Sequence, residues 1–503
     1  MLRKSCFLGA AAGALLSSPA VSAWQKVSSP HFVIYADDSP DKLREFANRL
    51  ERFDKAVRLV RGMADPALGD GNRLTVFVVP DIKDVQRLAG TDHGMTTNLA
   101  GFYRADGTGS IAVVPKRSGD SEKPWMDDQE TFFHEYAHHL MYSDLTAPTP
   151  LWYSEGFAEF MSTASFAKDG SVTLGRAATG RAMEVTDSKT FSLDRMLSGK
   201  VEQLSEGEWS SLYSRGWLLT HYLTFDLARK GQIERYLKAI AKGTDGATAA
   251  SAFGDLKALD RDLKTYVNRR RLSAVKVAAA ALETGPIKVE QMSAGAEEMM
   301  EHRMRLKAGV TKGELPALAQ SIRSIAARHP ADAFAQTTLA AVEIQSGQFA
   351  AAEAAAERAL AADARAIEAM IYKGQAIMER AGLGEKGKTF ADARKWFQKA
   401  NALDSEDPEP LMYFYQASVR ESGRPNANAI AALHYASDLA PQDYGWRMQS
   451  AYQYLDSGKL AEARRALVPI AYAPHSREAG RRAQAAIGKI DSGDAKGAQG
   501  AMR

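Results

Sequence analysis

Cysteine is nearly absent from this 503-residue chain, Cys6 being the only one. It opens an apolar run, Cys6 through Leu16, that follows Arg3 and Lys4 and leads to Pro19-Ala20-Val21-Ser22-Ala23, with small residues where a signal peptidase reads. A secretory leader is expected over residues 1–23, cleaved after Ala23. Because Cys6 precedes the apolar run, it does not resemble a lipoprotein attachment site. Maturation then leaves no thiol, which excludes disulfides and thiol catalysis and restricts any transition-metal site to His and carboxylate ligands. That suits an oxidising exported compartment, and a bacterial periplasm is expected. Long apolar runs are missing as well. None approaches the ~20 residues of a membrane span, so no transmembrane segment is expected after signal cleavage. Charge of one sign is also scarce. The formal charge is +3, and subtracting the two charges of Arg3 and Lys4 leaves +1, which argues against a nucleic-acid binder. The run Arg269-Arg270-Arg271 reads as a solvated helix end favoured by the dipole.

Histidine, by contrast, is concentrated. Three of the ten histidines, His134, His138 and His139, fall within six residues. Residues four apart on a helix share a face, so His134 and His138 can aim two imidazoles at one point. The helix expected from Glu130 through Met141 buries its other side through Phe132, Phe133, Tyr136, Ala137 and Leu140. His139 lies about 100° off the ligand face and reads as a packing or supporting residue. A catalytic Zn2+ needs three protein ligands and an open position. Glu155, on a second helix expected from Tyr153 to Thr163 after Pro148 and Pro150 break the chain, supplies the third ligand. Glu159, one turn further on, shares its face and can orient the outer nitrogen of a histidine. Glu135 is placed as the general base, with Tyr213 as oxyanion donor and His221 as its runner-up. Tyr213 also reads as core within the apolar run Trp209, Leu212, Trp217 and Leu218.

The pair HEYAH and WYSEGFAEF, with the later Tyr213-Ser214-Arg215-Gly216, resembles the gluzincin branch of the zinc peptidases, which includes thermolysin and aminopeptidase N. Across about residues 75 to 270 the resemblance implies His134, His138 and Glu155 as ligands, Glu135 as base and Tyr213 as transition-state donor, with Glu159 matching the acidic residue four after the ligand Glu. The Gly-x-Met-x-Asn segment that holds a free amine in such aminopeptidases is absent upstream, so exopeptidase action is unsupported. The segment Asn98 to Tyr103 and then Ile111 to Val114 reads instead as a hairpin turning at Asp106-Gly107, whose outer strand can accept a peptide by strand addition.

The expected architecture is an α+β zincin-like peptidase unit, a small mixed sheet plus helices, followed by an all-α solenoid. Residues 24–285 form the first, with 24–120 as a mixed half and 121–285 as a helical half; 286–503 form the second. Strands are expected at His31–Tyr35 and Leu74–Val79. Helices are expected from Pro40 through Leu59, from Lys83, and over Trp209–Leu227, Ile233–Ile240 and Leu259–Arg270. After Pro316 alanine becomes the commonest residue, and a 34-residue period emerges with units beginning near Ala333, Pro410 and Tyr444. A further unit between them carries an insertion around Gly382 to Lys388, and a degenerate opening unit runs from about Met299 to Pro330. These resemble tetratricopeptide repeats, helix pairs that bury their apolar faces only by stacking on neighbours. Tyr413, Tyr415, Arg447 and Tyr452 can line the solenoid's groove or belong to its core.

The expected function is that of an exported zinc peptidase acting on a peptide or protein, with a possible protein partner on the repeats. The alternatives are a peptidase-like scaffold that has lost turnover and binds protein partners, and metal-dependent hydrolysis of a non-peptide amide or ester.

Overall fold

The computed structural model describes residues 24–66, 68–89, 101–116, 128–143, 149–187, 191–199, 204–471 and 477–502. The expected leader, the segment Asn98–Ala100 and Pro148 lie outside them.

The amino-terminal part is built on a six-stranded sheet. Its strands are β1 (Trp24–Ser28), β2 (Phe32–Asp37), β3 (Leu74–Val79), β4 (Phe102–Arg104) and β5 (Ile111–Pro115), joined much later by β9 (Lys288–Gln291). They lie in the order β4-β5-β3-β2-β1-β9. The inner neighbours β2, β3 and β5 are parallel, while β4 turns back antiparallel on β5 with Phe102 opposite Val113. The expected hairpin is thus present, and its outer strand β4 ends the sheet. A second sheet pairs β6 (Ser165–Phe166), β7 (Val172–Leu174) and β8 (Val275–Val277).

Alternation along the strands divides the large sheet's side chains between two cores. On β3 and β5, Leu74, Val76, Ala112 and Val114 face α1 (Pro40–Arg61), while Phe77, Val79, Ile111 and Val113 face α2 (Ile82–Ala89). A parallel interior covered on both faces calls for a nearly continuous apolar run, and these strands supply it at every position but Thr75. The α1 face also receives α3 (Asp128–Ser143), whose Phe133 packs on Phe53 with ring centroids 4.2 Å apart. Burying each such ring stabilises the fold by roughly 1.5–3 kcal/mol and fixes the helix that carries the histidines.

The remaining helices of this part are α4 (Leu151–Ser162), α5 (Thr179–Asp187), α6 (Leu193–Leu197), α7 (Glu206–Phe225), α8 (Gln232–Ala241), α9 (Gly246–Ala249) and α10 (Leu256–Val267). Beyond β9 every element among the described residues is helical. The pairs are α11 (Ala294–Ala308) with α12 (Leu315–Arg328), α13 (Ala333–Gln345) with α14 (Phe349–Ala362), and α15 (Ile367–Gly382) with α16 (Phe390–Leu403). They continue as α17 (Pro408–Ser422) with α18 (Ala427–Leu439), α19 (Tyr444–Asp456) with α20 (Leu460–Ala471), and α21 (Arg477–Asp491) with α22 (Ala495–Ala501). First helices begin at 333, 367, 408 and 444. The interval from 367 to 408 is seven longer than that from 333 to 367, and the stretch from Gly382 to Lys388 accounts for the excess.

The two parts meet closely. Met300, Met304 and Ala308 of α11 complete the core on the α2 face of the sheet, so the first repeat helix covers strands laid down some two hundred residues earlier. The β4–β5 hairpin reaches further along the repeats: Asp443 accepts a hydrogen bond from the Gly107 amide at 3.2 Å, and Gln442 donates to the Asp106 carbonyl at 3.3 Å.

Candidate metal centre

Helix α4 is buried along almost its whole length, from Trp152 through Ser162. It can lie so deep because Gly156 meets Gly216 of α7: a Cβ on Gly156 would stand 2.3 Å from the Gly216 carbonyl oxygen, and one on Gly216 would stand 2.6 Å from the Trp152 carbonyl oxygen. Absence of side chains there lets two helix backbones touch. It also puts the neighbours of those glycines, Glu155 on α4 and Tyr213 on α7, near the histidine face of α3.

His134 Nε2 and His138 Nε2 are 3.2 Å apart, and each is 3.3 Å from Glu155 Oε2. Ligands placed tetrahedrally about 2.0–2.1 Å from a zinc ion are separated by about 3.3–3.4 Å, the bond length times about 1.63. Three buried donor atoms therefore occupy three corners of such a tetrahedron. A single proton can satisfy only one edge of this triangle, whereas a cation at its centre satisfies all three. The donor set of two imidazoles and a carboxylate fits Zn2+.

The surroundings favour positive charge at this point. Burial works to lower the His134 pKa, but contacts with Glu155 and Glu159 and the charge of Glu135 raise it to about 10. Glu155 is held well below the usual carboxylate range: burial opposes ionisation, and His138 and His134 outweigh it. Glu159 Oε1 lies 3.4 Å from His134 Nδ1, so the acidic residue expected beside the ligands reaches the outer nitrogen of one of them. His138 has its own support, with Ser154 Oγ 3.3 Å from its Nδ1. When Nε2 ligates a metal, Nδ1 carries the proton and donates it to such an acceptor.

Tyr213 stands beside the cluster, its ring centroid 6.0 Å from that of His134. Burial and the charges of Glu155, Glu135 and Glu159 push its phenol well up, so it remains a hydrogen-bond donor. Glu135 is only partly buried, and its charge is felt by both His134 and Tyr213. His221, the runner-up donor, is engaged elsewhere: Nδ1 meets the Tyr266 hydroxyl at 2.8 Å and Nε2 donates to the Gly175 carbonyl at 3.0 Å. His139 is half-buried, kept neutral with a pKa lowered to about 4 by desolvation, and accepts the Tyr103 hydroxyl at 2.8 Å.

Two residues of the site went unread in the sequence, Ser154 and Arg181. Arg181, from α5, donates to Glu159 Oε1 at 2.7 Å and lies 5.3 Å above the Tyr213 ring. An arginine on the short helix α5, some twenty residues beyond the motif, gives no signal that links it to Glu159. Ser154 was visible only as the neighbour of Glu155.

A second group, His31, Asp54 and Asp65, also has converging donor atoms. Its members already have partners. His31 meets Glu51 at 2.7 Å and Asp65 at 3.0 Å, while Asp54 takes Arg58 at 2.8 Å and the Tyr136 hydroxyl at 2.8 Å. Arg58 supplies the positive charge that a metal would bring, and the network anchors α3 through Tyr136.

Comparison with known families agrees with this geometry. The peptidase M9 family, described as Collagenase, matches residues 21–251, a span that contains α3, α4 and α7 entire. No curated protein matches the chain. Taken with the His134–His138–Glu155 cluster, the match gives the enzyme class: a zinc metallopeptidase.

Proposed function

We propose that this protein is an exported endopeptidase that hydrolyses peptide bonds at the His134–His138–Glu155 centre, with substrate laid along the β4 edge. The observation that carries this reading is the 3.2–3.3 Å triangle of donor atoms with Glu135 on the same helix. When bound, zinc supplies the Lewis acidity that brings a water's pKa toward neutrality.

The chain's own groups do the rest. Glu135 takes the proton of the attacking water and passes it to the leaving amine. The Tyr213 phenol, held protonated, donates to the oxyanion as it develops. Glu159 and Ser154 fix the orientation of His134 and His138 from their outer nitrogens, and Arg181 holds Glu159 in turn. As the terminal strand of its sheet, β4 offers backbone groups to an extended peptide, which selects for chain direction rather than for one side chain. A scissile bond inside such a strand favours internal cleavage. The helical pairs, proposed here as tetratricopeptide repeats, hold the hairpin that carries β4, and their remaining surface is available to a protein partner. Export rests on the leader, with the periplasm as the expected compartment.

Two variants test the reading. His134→Ala is expected to lose stoichiometric zinc; Glu135→Gln is expected to keep it and lose about 10²–10⁴-fold in peptide hydrolysis. Zinc-loaded wild type that leaves a diverse peptide library uncut would move the reading to a binding scaffold. Cleavage confined to free amino termini would overturn the endopeptidase assignment.

A further inference from the structure

Between the β4–β5 hairpin and the repeats lies a cavity of about 350 Å³. Arg104 of the hairpin, Arg303 and Lys307 of α11, Gln375 of α15, and Glu409 and Tyr413 of α17 are among its walls. Its charges do not balance. Arg303 gives Nη2 to Glu368 and lies 5.9 Å from the Phe334 ring, while its Nη1 is buried with no hydrogen-bond partner. Lys307 leans on the same Glu368 carboxylate at 3.1 Å, so one anion answers two cations. Arg104 spends a nitrogen on the neutral Ala308 carbonyl at 2.8 Å.

Two further carboxyl groups line the cavity, and neither offsets these cations fully. Asp106 is engaged by its own turn, accepting the Thr108 amide and hydroxyl at 2.8 Å each. Glu409 is buried, and burial together with Asp407 pushes its carboxyl well above the usual range. Gln375 donates to its Oε1 at 3.4 Å. Arg303 and Lys307 thus share one carboxylate, and the Arg303 Nη1 stays unpaired, beside a space rimmed by hydrogen-bonding groups. A buried, uncompensated positive charge is costly, and a bound anion offsets it.

We propose that this cavity binds a small carboxylate-bearing ligand, with Arg104 and Lys307 as counter-charges and Gln375 and Tyr413 as polar partners. Such a carboxylate can come from a free organic acid or from the end of a short peptide. Binding itself does not depend on the metal centre. Its consequence does, because the hairpin that walls the cavity continues into β4, whose Tyr103 hydroxyl reaches His139 on the metal helix. A ligand joining hairpin to repeats would fix the strand proposed to receive substrate.

The test is calorimetric titration of full-length, zinc-stripped protein with succinate, N-acetyl-diglycine, the C-terminal amide of that peptide, and inorganic phosphate. Saturable binding of one of the two free acids is expected, with the amide at least about ten-fold weaker, as loss of a charged hydrogen-bond partner implies. Tighter succinate identifies a free acid as the source; tighter N-acetyl-diglycine identifies a peptide end. Arg104→Gln, on the exposed hairpin, and Lys307→Gln should each weaken binding about ten-fold with circular dichroism unchanged. The proposal is overturned by the absence of saturable binding, by equal affinity for acid and amide, by phosphate binding tighter than both acids, or by wild-type affinity in both variants.

Discussion

The two halves of the molecule bury different chemistry. Of the twelve largest fully buried side chains among the described residues, only Phe397 lies in the repeats; the others, Trp152, Trp217 and Tyr136 among them, belong to the peptidase half. That half also buries His134, His138, Glu155 and Glu159. The repeats bury alanine instead, with Ala335, Ala340, Ala352, Ala359, Ala400 and Ala436 fully enclosed. Small residues recurring at the same place in each pair set a spacing between helices and can do so many times over. Irregular aromatic packing sets one arrangement once, and that arrangement aims the ligands. The difference teaches where packing and chemistry are coupled: tightly in the first half, through contacts such as Gly156 on Gly216, and at a distance in the second, through α11 on the sheet and through the hairpin.

The sharpest way to break this comparison is to disturb packing in each half and watch the metal. Gly156→Ala forces a methyl against backbone atoms that cannot swing aside, so α4 must shift and carry Glu155 with it. We expect about 1–3 kcal/mol of destabilisation, together with loss of bound zinc and of essentially all peptide hydrolysis. Phe397→Ala removes the largest fully buried ring described in the repeats and should cost about 3–5 kcal/mol, a larger fall in stability, yet leave zinc content and kcat near wild type at a temperature where the protein stays folded. Thermal denaturation and metal analysis on the two variants decide it. Zinc lost from Phe397→Ala would make the halves one cooperative unit.

The same contrast explains what the sequence made readable. Units expected at Ala333 and Tyr444 begin helices at those residues, because a repeat states its register several times. The HEYAH helix and Glu155 were equally plain, since ligand spacing on a helix is a local property. Pairings between distant segments were not. Strand β9 joins β1 with Val289 opposite Val27, and the four residues Lys288–Gln291 show too little alternation to announce a strand. The three-stranded sheet and α5, which carries Arg181, were missed for a similar reason, being short and set by tertiary contact. The seam between hairpin and repeats was invisible too, because its polar groups pair across more than three hundred positions.

A second contact between the halves, where Gly71 approaches Asp407 of α17, gives a pH test of how firmly they are joined. Asp407, which caps α17 by accepting the Glu409 amide at 3.0 Å, is pushed up to about 7 by burial and the charges of Asp404 and Glu368, with Lys307 opposing. A carboxyl whose folded pKa exceeds its unfolded value near 4 binds more protons folded than unfolded between those values. Its contribution is therefore complete below about pH 4 and is lost as pH rises through about 7, by an amount on the order of a few kcal/mol at most. Asp407→Asn should flatten that part of the stability profile in chemical denaturation across pH 5 to 8. An unchanged slope would remove Asp407 from the seam's energetics.

The smallest effect expected is at Arg181, and it asks whether support for the metal centre extends beyond the residues that touch a ligand. Arg181 reaches the proposed metal site only through Glu159, which in turn meets the outer nitrogen of His134, and its guanidinium also covers the Tyr213 ring. If it positions both, Arg181→Ala should weaken zinc binding by no more than about 10-fold, the lower end of the range for groups that touch a ligand directly, and lower kcat with little change in KM. Arg181→Lys keeps the charge on Glu159 but lacks the planar fork, so it should restore metal affinity more fully than kcat. Zinc titration against a competing chelator and steady-state kinetics on the two variants separate the roles. A purely structural arginine would lower thermal stability in both variants and leave zinc affinity where it was, and the coupling of packing to chemistry would then end at Glu159.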